Sequence, residues 1–131
     1  MPTEVKICGI RDAAALAAAA EAGADHVGFV FFPPSPRCLT PAEAAALSAT
    51  RPGGPKRVGL FVDATDDAIA AVLAAVPLDI LQLQGAETPE RAAAIRARFG
   101  LPVMKALGIG APEDFAAVEA FAPVVDRFLF D

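Results

Sequence analysis

The sequence predicts an α/β fold built on a parallel sheet. Three observations carry this. Short apolar runs alternate with alanine-rich stretches along the chain. The run from His26 to Phe32 is apolar at nearly every position, as suits a strand buried on both faces. The connections between runs are short, which favours right-handed β–α–β crossovers.

Each element has its own local reason. Val5 to Cys8 reads as a first strand. Asp12 to Ala22 reads as a helix because alanine has the highest helix propensity, and Gly23 suits the position that ends it. After the second strand, Pro33 to Arg37 can be neither helix nor central strand, since proline lacks a backbone donor. Thr40, Pro41 and Glu43 then stand at the spacing of a capping box, opening a helix that runs to Ala49. Arg57 to Val62 forms a third strand. Thr65 opens a third helix to about Val76, with Asp66 and Asp67 where the positive end of the helix dipole favours acids. Ile80 to Leu83 is a fourth strand. Thr88, Pro89 and Glu90 begin a fourth helix that Gly100 ends. Val103 to Leu107 is a fifth strand, a short helix follows Pro112, and Arg127 to Phe130 is a sixth strand before Asp131.

The resulting order, (βα)5β, fits a barrel or an open doubly wound sheet, and periodicity alone does not choose between them. No Gly-x-Gly-x-x-Gly follows the first strand and no Walker loop is present, which argues against a dinucleotide- or P-loop-binding domain. With 131 residues, 55% of them apolar and 21% charged, the chain has the composition of one globular domain. Net charge is −5 and the lysines and arginines are scattered, so neither nucleic acid nor an acidic membrane surface is expected as a partner. No apolar run approaches the roughly 20 residues of a membrane span. The N-terminus lacks the pattern of a signal peptide, so a cytoplasmic location is expected. Cys8 and Cys38 have no metal-type spacing and read as reduced thiols. His26 is the sole histidine, which argues against a multi-histidine metal site and against a Ser-His-Asp triad. A buried-type strand closes the sequence with no helix to cover it. Six strands of an eight-stranded barrel would leave the first and sixth edges open, so we expect residues 1–131 to be one incomplete barrel domain, part of a longer chain.

Ligands of parallel α/β folds bind beyond the carboxyl ends of the strands. Cys8, Arg37, Gln84 and Asp131 stand at such ends. Cys8 reads either as a base or nucleophile, or as a small buried hydrophobe. Arg37, in the proline-stiffened Ser35-Pro36-Arg37 segment, suits a carboxylate or phosphate, or is a solvated loop residue. Asp131 follows Phe128-Leu129-Phe130, and apolar neighbours favour a protonated carboxyl that could serve as an acid; otherwise it is an ordinary turn residue. Gln84 contacts a ligand or holds its own turn. His26 reads as structural and Cys38 as packed against its loop. Lys105, within the fifth strand, points into a barrel and needs a partner there.

Taken together, Lys6-Ile7-Cys8-Gly9-Ile10, Gly28-Phe29-Val30-Phe31 and Ser35-Pro36-Arg37 resemble the opening of the phosphoribosylanthranilate isomerase family. Arg57-Val58-Gly59-Leu60-Phe61-Val62, Leu81-Gln82-Leu83-Gln84-Gly85, Val103-Met104-Lys105-Ala106 and Phe128-Leu129-Phe130-Asp131 resemble its later strands, in the same order and spacing. The resemblance implies a (β/α)8 TIM barrel of which six strands and five helices are present. It implies an Amadori rearrangement of N-(5-phosphoribosyl)anthranilate in tryptophan biosynthesis, without metal or organic cofactor, in a monomer or homodimer. The family's general base maps onto Cys8 and its general acid onto Asp131. Its Ser-Pro-Arg arginine maps onto Arg37, which would hold the anthranilate carboxylate. Gln82 and Gln84, from the fourth-strand motif, join Arg37 as substrate-binding candidates. Two departures stand out: Gln84 replaces the family's usual His, and the strands whose loops carry the phosphate site in many such barrels are not in the sequence. The latter leads us to expect little turnover from these residues alone. Three other readings remain at this stage: a histidine-pathway sugar-phosphate isomerase, which uses Asp in place of Cys8; a catalytically silent, self-associating fragment; and a flavodoxin-like binding module.

Overall fold

The computed structural model describes residues 3–130. Six strands, β1 (Lys6–Cys8), β2 (His26–Val30), β3 (Lys56–Phe61), β4 (Ile80–Leu83), β5 (Val103–Leu107) and β6 (Arg127–Phe130), alternate with five helices. The helices are α1 (Ala13–Glu21), α2 (Pro41–Ala49), α3 (Asp66–Ala75), α4 (Pro89–Phe99) and α5 (Phe115–Phe121), the last entered through a 3-10 turn at Pro112–Asp114. Every strand pairs in parallel with the next, giving the order β1-β2-β3-β4-β5-β6. This settles what periodicity left open, because a doubly wound sheet reverses strand order at a switch point and this one never does.

Alternation along the strands separates two layers. Val27, Phe29, Phe61, Leu81, Leu83 and Val103 point outward and are buried against helix residues such as Leu16, Ile69, Ile95 and Phe121. Val58, Ile80 and Met104, with Leu129, point inward as a smaller cluster. All five helices therefore cover one face and the sheet curls around the other. The arrangement is that of a (β/α)8 barrel over six of its strands.

The helix starts form as their sequences dictate. Asp12, Thr40, Thr65 and Thr88 each accept a hydrogen bond from the backbone N–H three residues on. The Thr40–Glu43 box is complete, with Thr40 N donating to Glu43 Oε1 at 2.8 Å and Glu43 N to Thr40 Oγ1 at 3.1 Å. Those bonds hold the Glu43 carboxyl below its ordinary range. Gly100 closes α4 in the left-handed conformation, with φ 66°.

Two expectations need correction. The second strand ends at Val30 rather than Phe32, because Pro33 and Pro34 offer no donors to extend the ladder. Lys105 points outward, between Val103 and Leu107, and not into the barrel. Its partners are therefore in the helix layer: Glu87 at 3.0 Å, the Gly85 carbonyl at 2.6 Å and the face of Phe121.

Candidate active site

The inward face near the carboxyl ends of β1, β2 and β4 gathers the described candidates. Cys8 is directly opposite Gly28 in the β1–β2 register. The next residue, Gly9, has φ 77°, and Gly9 N and Ile10 N both donate to the Gly28 carbonyl, at 3.0 and 3.1 Å. The chain thus turns sharply off β1 and leaves the thiol of Cys8 exposed at the lip.

Arg37 reaches this lip from the β2–α2 loop. That loop is held by Ser35 N donating to Phe32 O at 2.9 Å, Cys38 N to Ser35 O at 3.1 Å and Leu39 N to Val30 O at 2.8 Å. The Ser35 hydroxyl accepts from Arg37 N at 3.1 Å. With its backbone fixed, Arg37 lays its side chain across Gly9. A Cβ at position 9 would sit 2.5 Å from Arg37 Cδ and 3.1 Å from Nη1. Glycine there serves both the left-handed turn and this close approach. The structure therefore lays Arg37 across the residue that follows Cys8, and a backbone already fixed loses less entropy when an anion arrives.

On β4, Gln82 is buried, and Gln84, one residue beyond the strand, is half-buried. Gln82 has the parity of inward-facing Ile80, and its Nε2 donates to Gln84 Oε1 at 2.8 Å. The two amides thus act as a unit, with Gln82 orienting Gln84. Gln82 Oε1, buried, has no hydrogen-bond partner among the described residues. The backbone at Gln84–Gly85 is anchored from behind by a network that the sequence reading did not anticipate. Glu87 Oε1 accepts from Gly85 N at 2.9 Å and from Lys105, while Oε2 accepts from Asp63 N at 2.9 Å. Asp63, at φ 48°, accepts in turn from Ala86 N at 3.0 Å. A side chain at Gly85 would meet Asp63 Oδ2 at 2.6 Å. The clue in the sequence was a lysine inside an apolar strand, which requires an acid close by.

Cys38, the other thiol, is half-buried behind the loop, and burial with the charge of Glu43 pushes its thiol up from the ordinary value. It stays protonated and takes no part at the lip. His26 is buried at the opposite end of β2, and its Nε2 has no partner among the described residues. Burial first, and the charge of Lys56 next, lower its pKa and favour the neutral ring. Asp131 lies outside the described residues. Among those residues, no cluster of histidine, cysteine and carboxylate side chains is placed to hold a metal, and no helix is long and apolar enough to cross a membrane.

An exposed thiol, an arginine laid across the glycine that follows it and a pair of amides at the end of β4 suit acid–base chemistry on an anionic substrate. The comparisons with known proteins agree with this. Residues 5–131 match the family described as N-(5'phosphoribosyl)anthranilate (PRA) isomerase. The N-(5'-phosphoribosyl)anthranilate isomerase of Paramagnetospirillum magneticum is 56% identical over 131 residues, covering 100% of this chain and 61% of the relative. The crystal structure of phosphoribosyl anthranilate isomerase from Thermotoga maritima superimposes with a TM-score of 0.90 at 35% identity, covering 99% of this chain and 62% of that one. A crystal structure of the isomerase in complex with reduced 1-(o-carboxyphenylamino)-1-deoxyribulose 5-phosphate gives the same TM-score, 0.90, at 35% identity, covering 99% and 65%. The chain thus spans about three-fifths of the length of its curated relatives. Over that span sequence and fold agree, and the chain belongs to the N-(5'-phosphoribosyl)anthranilate isomerase family.

Proposed function

We propose that the protein isomerises N-(5-phosphoribosyl)anthranilate to 1-(2-carboxyphenylamino)-1-deoxyribulose 5-phosphate, a step of tryptophan biosynthesis, with Cys8 as general base and Asp131 as general acid. The observation that supports this reading is the packing of the Arg37 side chain across Gly9, the residue that follows Cys8. The relative that binds a reduced product analogue supports the substrate class.

The chemistry follows from the groups. Asp131 gives a proton to the ring oxygen of the sugar, the C1–O bond breaks, and the aniline nitrogen supplies the electron pair that makes the Schiff base. The Cys8 thiolate removes the proton from C2, and the electrons of the C–H bond move to form an enolamine. Tautomerisation moves a proton from the C2 hydroxyl to C1 and leaves the ketone. The steps are proton transfers and call for no metal or organic cofactor. Arg37 holds the anthranilate carboxylate by a bidentate contact, and Gln84, oriented by Gln82, hydrogen-bonds the sugar. Gln84 cannot titrate, so at this position orientation suffices.

We read residues 1–131 as part of one barrel domain in a cytoplasmic enzyme, monomeric or homodimeric. A closed barrel needs 200 residues or more, so the intact mass of the protein should exceed that of these residues by about 70 residues or more. The decisive assay follows conversion of the substrate by the intact protein. Cys8→Ala and Asp131→Asn should each lower kcat by about 10²–10⁴-fold, the usual weight of a positioned acid or base. Undiminished turnover in either variant would remove that residue from the mechanism.

A further inference from the structure

We propose that Glu87 is a positioning residue for Gln84: it clasps the β3–α3 and β4–α4 loops into one unit and so presets the amide that meets the substrate. The inference rests on the reading of Gln84 as a substrate contact, and part of its test needs no substrate.

Glu87 stands in the loop between β4 and α4 and is buried. Its two oxygens take donors from three segments. Oε1 accepts from Gly85 N at 2.9 Å and from Lys105 Nζ, on β5, at 3.0 Å. Oε2 accepts from Asp63 N, beyond the end of β3, at 2.9 Å. Asp63 returns the link, its two oxygens accepting from Ala86 N at 3.0 and 3.3 Å. Lys105 Nζ also donates to the Gly85 carbonyl at 2.6 Å, and Gln84 N donates to Phe61 O at 2.9 Å. The backbone is therefore tied at Gln84 itself and at both polar groups of the residue that follows it.

Two features show how tightly the loops are joined. Asp63, at φ 48°, is the one non-glycine with positive φ among the described residues, a conformation that persists where the surroundings over-determine it. Gly85 has no room for a side chain, since a Cβ there would lie 2.6 Å from Asp63 Oδ2 and 2.9 Å from Asp63 N. Glutamine cannot replace Glu87 in this clasp. Both oxygens accept from backbone N–H groups, and an amide would turn a donor toward one of them.

The test uses the intact protein. Hydrogen exchange followed by NMR reads the clasp without substrate. In Glu87→Gln the Gly85 and Asp63 amides should exchange about tenfold faster relative to the Leu81 amide inside β4, the weight of one buried hydrogen bond. In turnover, Glu87→Gln should raise KM about three- to tenfold, the weight of one hydrogen bond to substrate, and change kcat less. Gln84→Ala should raise KM by a similar factor, and the two substitutions together by no more than either alone, because Glu87 acts through Gln84. Circular dichroism identifies which variants are folded. If Glu87→Gln fails to fold, Glu87→Gln with Lys105→Met, which removes the buried pair as a whole, takes its place. Factors that multiply in the Gln84 and Glu87 double variant would overturn the proposal. So would a KM unchanged in Gln84→Ala or in a folded Glu87 variant, or loop amides that exchange at the wild-type rate. Faster loop exchange in a protein whose wild type shows no isomerase turnover would instead overturn the functional reading and leave the clasp as a structural one.

Discussion

Replacing Gly9 with alanine puts a methyl group where Arg37 now lies, on a backbone that L-residues rarely adopt. The left-handed strain costs about 1–2 kcal/mol, and relief of the contact moves the guanidinium off the lip. We expect Gly9→Ala to lower the urea midpoint accordingly and to raise KM far more than it lowers kcat. The opposite split would mean that Arg37 does not hold the ground-state substrate. His26 makes a second residue-scale case. Its lowered pKa arises from burial and from Lys56 and Lys6, opposed by Asp25 and Asp79. The unfolded chain therefore binds a proton more readily than the folded one. Stability from the neutral ring is complete above about pH 6.5 and is lost as pH falls below it, with a slope of at most about 1.4 kcal/mol per unit. Urea midpoints measured from pH 7 to 5 should fall in the wild type and flatten in His26→Gln; parallel curves would assign the loss to other groups. Cys8 and Arg37 were legible in the sequence because strand ends and a proline-braced loop place them by local rules. The lie of Arg37 across Gly9 was not, since it depends on a missing Cβ there.

The Lys105–Glu87 pair joins two elements, fixing the β4–α4 loop to β5. Both side chains are buried, at 4% and 2% exposure, so neither can turn to water when its partner is removed. Lys105→Met should destabilise by about 3–5 kcal/mol, the cost of leaving one charge of a buried pair alone. Restoration in the double variant Lys105→Met with Glu87→Gln would show that the uncompensated carboxylate was the cause; additive losses would not. Such a pair is hard to read from sequence, because a lysine in a six-strand alternation has two possible faces and only the neighbouring strands choose between them. The helix starts are the contrast. Thr40 and Glu43 satisfy each other within one turn, so the box was legible in full. Thr40→Ala should cost about 1 kcal/mol in thermal or urea unfolding, and no measurable change would mean that tertiary packing alone holds the start of α2. The end of the second strand was misread because apolar character continues through Phe31 and Phe32 past the last paired residue, Val30, with Phe31 N donating a final bond to the Leu60 carbonyl at 3.0 Å. Phe31 still stacks on Phe61, ring centroids 5.6 Å apart, which explains why the apolar run outlasts the ladder.

At the scale of the molecule, composition and alternation gave a parallel α/β sheet, but the barrel needed the resemblance, since order along the sheet is a long-range property that no window of sequence contains. That order also explains where apolar surface remains. Among the described residues the large hydrophobic side chains left exposed are Val5 and Ile7 at β1, Phe130 on β6 and Phe115 at the start of α5, with exposures from 41% to 55%. Val5, Ile7 and Phe130 sit at the two edges of the six-stranded sheet. Val5 and Ile7 face an apolar groove along α1 lined by Ala15, Ala18 and Ala22. An unpaired parallel edge flanked by apolar side chains favours association with another strand or another copy. The 131 residues, isolated, should therefore show a weight-average mass in sedimentation that rises with concentration. Ile7→Lys combined with Phe130→Lys places a charge at each edge and should shift the distribution toward monomer, while leaving the circular dichroism spectrum unchanged. Both substitutions lie on the outward face, opposite the face that carries the Cys8 side chain. Association that persists in the double variant would locate the contact on the helix layer instead, and the sheet edges would then have to be covered within the protein itself.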